Sequence, residues 1–211
     1  MKLLLHACCG PCSLEPVRLL LEEGHELCIA YMNSNIHPED EYTHRRDTLM
    51  AWADSEDIPV IEGVYNPELW EKSAGALAAQ DSYAREDRCR ACYRLRFEEA
   101  ADYAQAHDFD GLCTTLSVSP YQFTDIIAEE LKAAASSRGL KLVFQDFRPH
   151  YAEATRRSRD IGMYRQNYCG CRISEIEAQA EREERKRKRK AEKLERKRAR
   201  EQSIAQTGGC Q

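Results

Sequence analysis

The chain lacks any apolar stretch approaching the roughly 18 residues that a membrane span requires. Its first apolar run, Leu3 to Leu5, stops at His6, too short for the hydrophobic region of an export signal. The Leu-x-x-Cys sequence ending at Cys8 is for the same reason a poor lipoprotein site. A cytoplasmic location with no membrane partner is therefore expected. Thiols stay reduced there, so the ten cysteines are not read as a disulfide framework, and metal or redox chemistry becomes their main explanation. No internal repeat is evident. Residues 175–211 lack Gly and Pro until Gly208, and Ile176, Leu194 and Ile204 stand nearly alone as large apolar residues, so this stretch cannot bury a core of its own.

What is present fits one sizeable core with an appendage: 211 residues, 42% hydrophobic and 32% charged. The formal charge of -5 hides a division. Residues 1–174 carry 19 Lys and Arg against 28 Asp and Glu, whereas residues 175–211 carry 12 against 8. The expected organisation is an α/β metal-binding catalytic domain over 1–174 and a charged helical or disordered tail over 175–211. In the tail, Glu181, Glu183 and Glu184 precede the run Arg185 to Lys190, which suits either a solvated helix with i,i+4 pairs or a non-specific RNA contact.

Short β-rich runs alternate with helical patterns along the body, the order expected of βαβ units around a parallel sheet. KLLLHA predicts a first strand, and the turn CCGPC leads into a helix that Ser13 can cap, with Pro16 in its first turn and Gly24 at its end. ELCIAYMN predicts a second strand, a helix opens at Pro38, and PVIEGVY predicts a third strand. Residues 66–88 predict helical pieces and a mobile loop. Then come a helix over Cys89 to Ala106, a strand in GLCTTL, a helix over Tyr121 to Ser137, a strand in KLVFQDF and a helix over His150 to Ile161. The expected fold is a Rossmann-like parallel sheet of about five strands, and in such sheets ligands gather beyond the carboxyl ends of the strands.

Seven cysteines fall into three groups near that edge: Cys8, Cys9 and Cys12 in CCxxC, Cys89 and Cys92 in CxxC, Cys169 and Cys171 in CxC. Core packing gives a cysteine no reason to have a partner two or three residues away. Cys28 and Cys113, alone within apolar strands, read as core residues, and Cys210 as an idle tail thiol. Three chemistries are open on these residues. Cys9-Gly10-Pro11-Cys12 between a strand and a helix is the thioredoxin tetrapeptide, and suits a thioredoxin-like dithiol oxidoreductase. Cys89 and Cys92 with two further thiols would make a tetrahedral zinc site, as in a zinc-stabilised RNA-binding module without catalysis. An iron–sulfur cluster also takes four thiolates, and leaves the remaining thiols a use if the site must deliver electrons.

LLHACCGPCS at 4–13, NIHPEDEYTHR at 35–45, RCRACYRLR at 88–96, TTLSVSPYQ at 114–122 and YRQNYCGC at 164–171 together resemble the cobalamin-independent epoxyqueuosine reductases, the QueH family. The resemblance implies reduction of epoxyqueuosine to queuosine at the wobble position of tRNA, the last step of queuosine biosynthesis. It implies a fold resembling adenine-nucleotide α-hydrolase domains, although CCGPCS stands where an SGGxDS pyrophosphate loop would, so ATP use is not expected. It implies a 4Fe-4S cluster with Cys8, Cys9, Cys89 and Cys92 as ligands, a second mononuclear metal ion beside it, and Cys12 as an alternative ligand or part of the second site. Cys169 and Cys171 would be a redox-active pair, and the partners would be tRNA carrying epoxyqueuosine and an unidentified electron donor. Ser73 to Asp87 departs from the family pattern, and the charged tail after Arg172 lies outside the family core.

Among the remaining polar groups, Tyr164 is the candidate proton donor, with Arg165, Gln166 and Tyr168 beside it. Arg85, Arg88, Arg90, Arg94 and Arg96, with Arg148, Arg156, Arg157, Arg159 and Arg165, are expected to form a phosphate-contacting rim. His37 and Glu41 follow the second strand into the same crevice.

Overall fold

A computed structural model describes residues 1–80 and 84–207, with side chains described through residue 196, so Cys210 lies outside the described residues. The chain divides into two compact units, Met1–Gln166 and Asn167–Gln211. The first is built on five parallel strands, β1 (Lys2–His6), β2 (Glu26–Tyr31), β3 (Val60–Glu62), β4 (Gly111–Thr114) and β5 (Lys141–Leu142), in the order β3-β2-β1-β4-β5. Its helices are α1 (Gly10–Glu22), α2 (Glu39–Ser55), α3 (Pro67–Trp70), α4 (Ala76–Ala78), α5 (Arg85–Ala106), α6 (Thr124–Ser137) and α7 (Tyr151–Asp160). This is the Rossmann-like parallel sheet of five strands expected from the strand–helix alternation.

β1 reads as an unbroken leucine run because both faces of a central parallel strand are covered. Leu3 and Leu5 pack with Leu14, Val17 and Leu20 of α1 and Leu49 and Trp52 of α2, while Leu4 packs on the other face with Phe97 and Ala101 of α5 and Leu131 of α6. Gly111 lets β4 approach β5: a Cβ there would lie 2.7 Å from the Lys141 carbonyl oxygen.

Several boundaries differ from the sequence expectation. α1 is capped by Cys9 rather than Ser13, whose Oγ instead donates back to the Cys9 carbonyl at 2.9 Å. Gly10 opens the helix because a side chain there would meet the Met163 sulfur at 2.8 Å. Pro16 sits inside the helix, where it has no N–H to offer the Cys12 carbonyl. The expected loop between the third strand and the CxxC helix is largely helical: α3 runs through a π turn (Glu71–Gly75) into α4. α5 begins at Arg85, with Glu86 and Asp87 in its first turn complementing the helix dipole, so Cys89 and Cys92 lie beyond the turn where the dipole acts. α6 begins at Thr124, and β5 keeps two residues because it has a single neighbour.

The second unit holds α8 (Arg172–Thr207), preceded by the turn that carries Cys169, Gly170 and Cys171. No helix among the described residues is long and apolar enough to cross a membrane.

Candidate metal centre

The strand order reverses between β1 and β4, where His6 pairs with Thr114, and the chain beyond each carboxyl end borders the crevice that this reversal opens. Cys8 and Cys9 lie just past β1, and the Cys9 cap turns the chain into α1 so that Cys12 comes back to them. The three sulfurs all lie within 4.8 Å of one another, with Cys8 and Cys9 3.8 Å apart. Sulfurs sharing one tetrahedral ion with bonds of about 2.3 Å are roughly 3.8 Å apart, so this donor set fits a thiophilic metal.

Hydrogen bonds from Cys12 and then Cys9 draw the Cys8 thiol well below its ordinary value, with Arg96 and Arg45 adding to the effect. Burial lifts Cys9, and the contact with Cys8 lifts Cys12 well above the ordinary range. One thiolate thus forms readily, and further ionisation needs a cation between the sulfurs. That is what a metal supplies, since thiolates rather than thiols are its ligands.

The surrounding charges point the same way. Arg45 and Arg96 are fully buried, an arrangement tolerated only when anions compensate. Arg45 donates through Nε to Glu41 Oε1 at 2.7 Å, and Arg96 donates to Asn33 Oδ1 at 2.6 Å. Asn33 in turn donates to the Ala7 carbonyl at 2.8 Å, tying the ends of β1 and β2 to α5. His6, buried and 3.1 Å through Nδ1 from Thr114 Oγ1, is pushed down to about 3 by burial and then by Arg96, so its imidazole is neutral.

Gln166 Nε2 lies 2.8 Å from the Cys9 sulfur and 3.7 Å from that of Cys12, and Gln166 Oε1 is buried with no hydrogen-bond partner. Tyr164 donates to Glu41 Oε2 at 2.6 Å and stacks on His44 at 3.7 Å; burial and then Glu41 push its hydroxyl up to about 12. Beyond β2 and β4, Asn35 Oδ1, Thr115 Oγ1 and Ser117 Oγ are also buried without partners, polar atoms that a ligand in the crevice would satisfy.

Cys92 is buried near the start of α5, and the half-buried Cys89 packs against the apolar cluster that includes Cys8 and Cys9. Cys28 and Cys113 lie in the strands as expected, and burial pushes Cys113 up to about 12. In the second unit Cys171 is buried at the N-cap of α8, its sulfur accepting from the Ser174 N–H at 3.4 Å, and Gly170 adopts φ 147, a conformation closed to most L-residues. All nine described cysteines carry free thiols.

Several of the arginines expected to form a phosphate-contacting rim are already engaged within the first unit. Arg88 and Arg96 are interior. Arg90 and Arg94 are held by Glu130, Arg148 by Asp146, Arg156 by Glu153 and Asp160, and Arg157 by Glu15. The polar groups around the trio to which sequence reasoning gave no role are Arg45, Asn33 and Gln166. Arg45 had a readable signal, since it falls between Tyr42 and Leu49 on the buried stripe of α2.

A family model described as epoxyqueuosine reductase QueH matches residues 3–177. A curated epoxyqueuosine reductase QueH from Haemophilus influenzae is 32% identical over 174 residues, covering 81% of this chain and 70% of that protein. One from Dehalococcoides mccartyi is 29% identical over 177 residues, covering 83% and 93%. One from Thermotoga maritima is 31% identical over 177 residues, covering 82% and 90%. Among solved structures, a "predicted subunit of tRNA methyltransferase" from Methanocaldococcus jannaschii matches with a TM-score of 0.50 at 12% identity, over 75% of this chain and 76% of that one, a likeness of fold alone.

Proposed function

The chain belongs to the epoxyqueuosine reductase QueH family, and from that membership we propose that it reduces epoxyqueuosine to queuosine in tRNA, the last step of queuosine biosynthesis. The observation that carries the reading is the buried trio Cys8, Cys9 and Cys12 at the switch point of the sheet, compensated by buried arginines. A thioredoxin-like exchange at Cys9 and Cys12 is disfavoured, because an attacking thiol must be accessible and ionised, whereas Cys9 is buried and held protonated.

The reaction breaks both C–O bonds of the epoxide, forms a C=C bond and releases the oxygen as water, consuming two electrons and two protons. We assign Cys8, Cys9, Cys89 and Cys92 as ligands of a 4Fe-4S cluster, which supplies electrons singly when bound. Cys12 is assigned to the second metal ion, with Cys8 and Cys9, within 4.8 Å of it, as ligands that the two metals would share. Cys169 and Cys171 hold the two-electron equivalent: closing this dithiol to a disulfide yields two electrons and two protons, and an external donor reopens it. The short Cys-Gly-Cys ring favours the reopening step, since strained disulfides are easily reduced by an external donor. Tyr164 is the proposed proton donor. With its hydroxyl raised to about 12 it stays protonated at neutral pH, and gives its proton up to a base as strong as the alkoxide left by C–O cleavage.

The direct test is to incubate anaerobically purified protein and a strong reductant with tRNA carrying epoxyqueuosine, then digest to nucleosides. Loss of one oxygen from the modified nucleoside is expected. An unchanged nucleoside, with metal fully loaded, would leave the zinc-stabilised RNA-binding module as the better account.

A further inference from the structure

The family match ends at residue 177, so α8 beyond that point is unaccounted for by what the relatives share. Residues 185–200 hold eleven Lys and Arg against two Glu. At about 100° per residue, Arg185, Arg196, Arg189, Lys193, Lys186 and Lys190 fall on one face roughly 140° wide. Glu184 and Glu195 fall on the opposite side, while Glu181 and Glu192 border the basic face next to Arg185 and Glu183 borders it next to Lys190.

That segregation works against the helix. A helix built for solubility or rigidity would place Glu four residues before each cation. Here Arg182 and Lys186, Arg185 and Arg189, Lys186 and Lys190, and Arg189 and Lys193 are like-charged i,i+4 pairs, which destabilise a helix. Ion pairs join Arg185 to Glu181 at 3.6 Å and Lys188 to Glu184 at 2.8 Å. Lys186, Arg189, Lys190 and Lys193 have no carboxylate partner among the described residues. The arginines expected to form a phosphate rim on the first unit are, by contrast, mostly interior or held by carboxylates.

A stripe of uncompensated cations needs an external polyanion. Membrane insertion would require an apolar face, and Ile176 and Leu194 do not make one. A coiled-coil partner would require apolar residues at heptad spacing, which are equally absent. We propose that the basic face of α8 is a sequence-independent arm that binds the RNA phosphate backbone, adding affinity for tRNA outside the metal centre. The inference rests on the reading that tRNA is the substrate, but it can be tested apart from the chemistry.

The measurement is binding of unmodified tRNA to the full-length, metal-loaded chain across a series of KCl concentrations, for the natural protein and for the combined variant Arg185→Gln, Arg189→Gln, Lys193→Gln and Arg196→Gln. Glutamine keeps helix propensity, and removing the repulsion should leave helix content by circular dichroism unchanged or higher. The slope of log affinity against log salt should become shallower by roughly three, since each lost phosphate contact removes about 0.7–0.9. Affinity at low salt should fall by more than about tenfold, with the gap closing as salt rises. Equal slopes for the two proteins would overturn the arm. So would equal tRNA binding accompanied by a loss of binding to anionic lipid vesicles in the variant, which would make a membrane surface the partner. Failure of the natural protein to deoxygenate epoxyqueuosine, with the slope change intact, would remove the reductase reading and leave the arm standing.

Discussion

Cys9→Ala should strip the protein of metal and of turnover together. The Cys9 sulfur lies 3.8 Å from that of Cys8 and belongs to a trio within 4.8 Å, so its removal breaks the donor set at its centre. The loss in activity should exceed the roughly 10–100-fold that follows from mutating groups behind the ligands, because a ligand itself is gone. Stability should fall as well, since metal binding contributes folding free energy and, in the metal-bound protein, the buried Arg45 loses the neighbouring Cys9 thiolate. Metal content per chain, with thermal unfolding before and after chelation, checks both effects. Cys113→Ala is the control: it removes a buried thiol with no partner thiol nearby and should keep its metal. Full metal content in Cys9→Ala would show that the trio is not the binding site.

Cys171→Ser should abolish turnover while leaving metal content and stability nearly unchanged. The substitution is clean because Cys171 occupies the N-cap of α8 and its sulfur accepts from the Ser174 N–H, a role that serine fills better than cysteine. Any structural duty of the residue is therefore retained, and the ability to form a disulfide is lost. Cys169→Ser should give the same phenotype from the other half of the pair. Metal falling in step with activity would make the two residues ligands, and substantial turnover in either variant would dismiss the dithiol.

Strands and cysteines were the legible part of this sequence, and the buried polar scaffold was not. Leu3 to Leu5 announces a central parallel strand because all three are covered, whichever face they take. The parallel strands followed from alternation, and with them the strand end at which Cys8 and Cys9 would emerge, whereas the order β3-β2-β1-β4-β5 is seen only in the folded chain. Helix starts were misread where polar side chains lead into the element. The α5 start at Arg85 is hidden by Glu86 and Asp87, which favour a helix N-terminus by charge rather than by apolar spacing. Ser13 looked like a cap by residue type, yet Cys9 holds that position and the Ser13 hydroxyl donates to the Cys9 carbonyl inside the helix. Arginine was the least readable residue. Arg96 carries the same sequence signature as a surface cation, but it sits between Tyr93, Phe97 and Ala100 on the buried face of α5 and bonds Asn33. Only the folded chain brings it to Asn33 and close enough to the Cys8 thiol to favour its ionisation.

If oxygen removal depends on metal held by the cysteine trio, the conversion of epoxyqueuosine must itself depend on metal. Protein stripped of metal under anaerobic conditions, with all thiols reduced, should release no queuosine from tRNA carrying epoxyqueuosine, and reconstitution with iron and sulfide should restore conversion in proportion to the metal bound. Conversion by the metal-free, fully reduced protein at the rate of the reconstituted one would contradict the account, because the thiols alone would then suffice.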